Sequence, residues 1–97
     1  MEAIAFAMYV GVLVGQGSVA CENEPAFEDY ALGSVARVES VALSQNVDID
    51  QALAAYDAAF GFGQNSQTTN PLSCKEFAEI SNNLYVQGDA SFNGDVE

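Results

Sequence analysis

The reactive side chains of this 97-residue sequence are few: Cys21 and Cys74, fourteen Asp and Glu, two bases, Arg37 and Lys75, and no histidine. Oxidation of the two thiols to a cystine is the one covalent step they offer, and within one chain only one pairing exists. That bond would close a loop of about fifty residues and contribute about 4 kcal/mol through the freedom it removes from the unfolded chain. Without histidine or a CxxC pair, the common zinc, copper and haem ligand sets cannot be assembled, so no metal and no cofactor is expected. Two carboxylates can share acid and base work when they stand on opposite walls of a cleft. Here the acids fall at helix starts and on outer faces, and no general base or nucleophile accompanies them, so no catalytic residue and no enzyme is expected.

Two weaker patterns fail on their own chemistry. Gly11-x-x-x-Gly15-x-Gly17 has the glycines of a phosphate cradle but lacks the Lys-Ser/Thr that follows one. Asp48 and Asp50 lack the further acids and the glycine of a calcium loop and read instead as a helix start.

The net charge of −12 narrows the partners. Binding to a phosphate backbone needs Lys and Arg to displace counterions, which excludes nucleic acid as a class. Anionic headgroups are disfavoured on the same ground, so any membrane contact must rest on apolar burial. The acidity itself suits a solvated surface that keeps an apolar protein soluble.

Apolar spacing predicts an all-α fold of about four helices over 3–19, 24–44, 48–61 and 71–87. In the second, Phe27, Ala31, Val35, Val38 and Ala42 recur at intervals of four and three, behind an Asn23 cap and Pro25 in the first turn. In the third, Ile49, Leu53, Tyr56 and Phe60 do the same behind Asp48, with Gln51 placed for a capping box and Gly61 and Gly63 as stops. The uncharged stretch from Gly61 to Asn70 reads as a loop, and Asn70-Pro71 as the start of a fourth helix that buries Leu72, Phe77, Ile80 and Leu84 and ends at Gly88. The chain then divides into an apolar helix (1–20), an acidic helical region (21–88) and an acidic tail (89–97), with Cys21–Cys74 clamping the first helix to the fourth.

What the acidic helices must hold is the first stretch, which carries no charge from Ala3 to Ala20. Ser18-Val19-Ala20 suits a signal peptidase, but Glu2 stands where a targeting peptide wants Lys or Arg. As a helix it spans about 27 Å, short for a hydrocarbon core and long enough for a filament core or a bundle interior. Gly11 and Gly15 form a small-xxx-small face on which a second helix can approach closely. Phe6, Val10, Gly11, Val14 and Gly15 are therefore the expected interaction residues. The function they imply is a non-catalytic structural or accessory subunit of a homo- or hetero-oligomeric assembly outside the cytoplasm, with membrane contact through residues 3–20 also open. The alternative is a secreted helical module holding a small apolar ligand, lipid or pigment, among Phe27, Tyr56, Phe60 and Phe77.

Overall fold

The computed structural model describes residues 2–84, and over these the chain is an all-α bundle of four helices closed by a Cys21–Cys74 disulfide. The helices are α1 (Ala3–Ala20), α2 (Pro25–Ser44), α3 (Ile49–Thr69) and α4 (Cys74–Leu84). The helix end expected at 87, the Gly88 stop and the acidic tail lie outside the described residues.

Each start has a local cause. The Glu2 carboxylate accepts from the backbone N–H groups of Ile4 and Ala5, and Gln45 at the end of α2 accepts from Ala3 N at 2.8 Å, so three of the first orphan donors of α1 are satisfied. Pro25 opens α2 where its missing donor is harmless, with Glu24 rather than Asn23 at the cap and no side-chain cap bond. Asp48 caps α3 by accepting from Asp50 N at 2.9 Å. At α4 the cap is Ser73, not Asn70. Its hydroxyl accepts from Glu76 N at 3.1 Å while Glu76 accepts from Ser73 N at 2.9 Å, a reciprocal capping box.

The largest departure from the sequence reading is the length of α3, which runs eight residues beyond Gly61 through the stretch read as a loop. A glycine inside a helix costs about 1 kcal/mol relative to alanine, and two of them suggested a stop. Gly63 is instead buried against α1, where a Cβ would overlap the carbonyl oxygen of Val12. The contact that needs no side chain at Gly63 carries the helix through it. Beyond it, the hydroxyls of Ser66, Thr68 and Thr69 donate back to the carbonyls three residues earlier, and buried Gln67 both donates to and accepts from the backbone of Leu72.

α2 runs back along α1, bringing Phe27 to Gly17 and Gln45 to Ala3. α3 then lies parallel to α1, since Gly11 meets Tyr56 and Ala59, and Gly15 meets Phe60 and Gln64 further along both helices. All four helices share one core, with Val10, Val14, Val38, Ala42 and Phe77 at its centre.

Candidate interaction face

The residues expected to face another molecule are held within the chain. Val10 and Val14 are buried, Gly11 and Gly15 are buried, and Phe6 is half-buried against the core. The close-approach face is real, but the helix that uses it is α3 of the same chain. A Cβ at Gly11 would stand 2.5 Å from the Tyr56 carbonyl oxygen and 2.8 Å from Ala59 Cβ, and one at Gly15 would overlap the Phe60 carbonyl oxygen. Cα–H groups of Gly11, Gly15 and Gly63 therefore point at carbonyl oxygens across the seam, weak hydrogen bonds of about 0.5–1 kcal/mol each. The signal for this is in the sequence: Ala59-x-x-x-Gly63 repeats the spacing of Gly11-x-x-x-Gly15, and read as a helix it supplies the complementary face.

What α1 leaves open is its other side. Ala5, Met8, Val12, Gln16 and Val19 recur at intervals of three and four, with Tyr9 beside Met8. Met8 is 51% exposed, Tyr9 43% and Val19 40%, Ala5 is exposed, and Val12 and Gln16 are half-buried. Gln16 joins this strip to α3 by donating to the Ser66 hydroxyl at 3.3 Å. One turn before Ser66 on α3 comes Phe62, 59% exposed, beside a shallow hollow that Ala58, Asn65, Ser66 and Thr69 also line.

The two-helix face carries no charge. α1 has none between its ends, and the acids of α3, Asp50 and Asp57, lie about 120–140° round the helix from Phe62. Other exposed apolar residues do not make such a surface. Leu32 and Leu43 stand apart on α2, with Glu39 and Ser40 between them, the scattered pattern normal for a soluble surface.

At the C-terminal end of α1 the chemistry reverses. No basic residue occupies its last turn, Glu22 and Glu24 follow directly, and with Glu28 they line a shallow hollow at the corner where α2 begins. The partial negative charge of the helix end adds to that of the carboxylates.

The aromatic residues named above for an apolar ligand fall into two sets, with rings in contact within each set, and Tyr30 joins the first. Phe27, Tyr30 and Phe77 form one, with Phe77 edge-on to Phe27 at 5.7 Å and to Tyr30 at 5.5 Å between ring centres. Their floor is Gly17, whose missing side chain leaves room for the rings of Phe27 and Phe77. Tyr56 and Phe60 form the other, 6.2 Å apart on α3. Among the described residues, no three Cys, Asp or Glu side chains are grouped to hold a metal ion. No family model, curated protein or solved structure matches the chain.

Proposed function

We propose that this chain is a non-catalytic accessory subunit of a larger assembly outside the cytoplasm, and that it engages that assembly through the open side of α1 rather than through Gly11 and Gly15. One observation carries the reading: in a molecule of net charge −12, the strip from Ala5 to Val19 and the adjoining flank of α3 are free of charge, with Ala5, Met8, Tyr9, Val19 and Phe62 exposed along them. An uncharged surface that exposes Met8, Tyr9, Val19 and Phe62 on a small acidic protein has the composition of a binding face. The cystine supports the compartment, because disulfides persist in oxidising surroundings and are rare where glutathione and thioredoxin keep thiols reduced.

The test is photo-crosslinking in the native source. A photoreactive residue replaces Met8 or Val19 in one pair of proteins and Asp57, on the far side of α3, in a control. Adducts from positions 8 and 19 and none from 57 are expected, with Cys21 and Cys74 joined in the recovered chain. A native chain that is monomeric and forms no adduct at 8 or 19 would overturn the proposal.

A further inference from the structure

We draw no further inference here: the strongest candidate, the uncharged face that α1 and α3 share along Ala5, Met8, Tyr9, Val19 and Phe62, belongs to the site already described, and nothing in the structure shows what covers it.

Discussion

The seam between α1 and α3 and the attachment of α4 hold their helices by opposite means. Across the seam, backbone meets backbone at Gly11, Gly15 and Gly63, and its polar links are Gln16 with Ser66 and Gln64 with Ser18, both at 3.3 Å. α4 is held through the fully buried ring of Phe77, its edge contacts with Phe27 and Tyr30, and the bond from Cys74 to Cys21. The first arrangement works because atoms are missing, and no rotamer change relieves an atom added to it. The second works because atoms are present, and it weakens as they are taken away. A chain this small has a limited core, and here it relies on both.

The strongest way to break the contrast is to add a side chain to the seam. Gly15→Leu should destabilise the chain by about 5 kcal/mol or more, because the obstacle is the Phe60 carbonyl and not the tip of a flexible side chain. Urea unfolding followed by circular dichroism measures it, and a loss under 1 kcal/mol would show that the seam can open. Next comes removal at α4. Replacing Cys21 and Cys74 together by Ser should lower stability by about 3–4 kcal/mol, as expected when a cross-link 53 residues apart in sequence is lost, with α1 to α3 still helical. Loss of all helicity at once would mean that the seam depends on the staple. The smallest effect sharpens the comparison from the other side. Gly33 sits in α2 with nothing near the position of a Cβ, so Gly33→Ala should stabilise by about 0.5–1 kcal/mol, and a loss there would contradict the open space beside it.

Much of this architecture was legible from the residues. The limits of α1 and α2 and the pairing of the cysteines follow from apolar spacing, Pro25, Gln45 and simple counting. The far half of α3 was not, because local rules assign Gly61 and Gly63 to a stop while the decisive contact of Gly63 lies with Val12, some fifty positions away. Ser73-x-x-Glu76 is a readable capping box, but Asn70-Pro71 just before it offers the more familiar start signal and masks it. The outward side of α1 was hidden for a different reason: a helix apolar on every side carries no directional signal, and only the position of α3 decides which flank stays in solvent. The same blindness placed Gly11 and Gly15 at an interface with another molecule, when the glycine-poor flank through Met8 and Val19 is the one left uncovered.

The parallel course of α1 and α3 bears on how the chain is made. Gly11 and Ala59, like Gly15 and Gly63, are forty-eight positions apart. At ordinary elongation rates the growing polypeptide carries its greasy leading segment for roughly 2–10 s before the stretch that shields it has been synthesised. During that interval nothing downstream can substitute for α3, since α2 touches a different side of α1. A holdase that covers Ala3–Ala20 on the ribosome would therefore act at the stage when the nascent protein is most prone to stick.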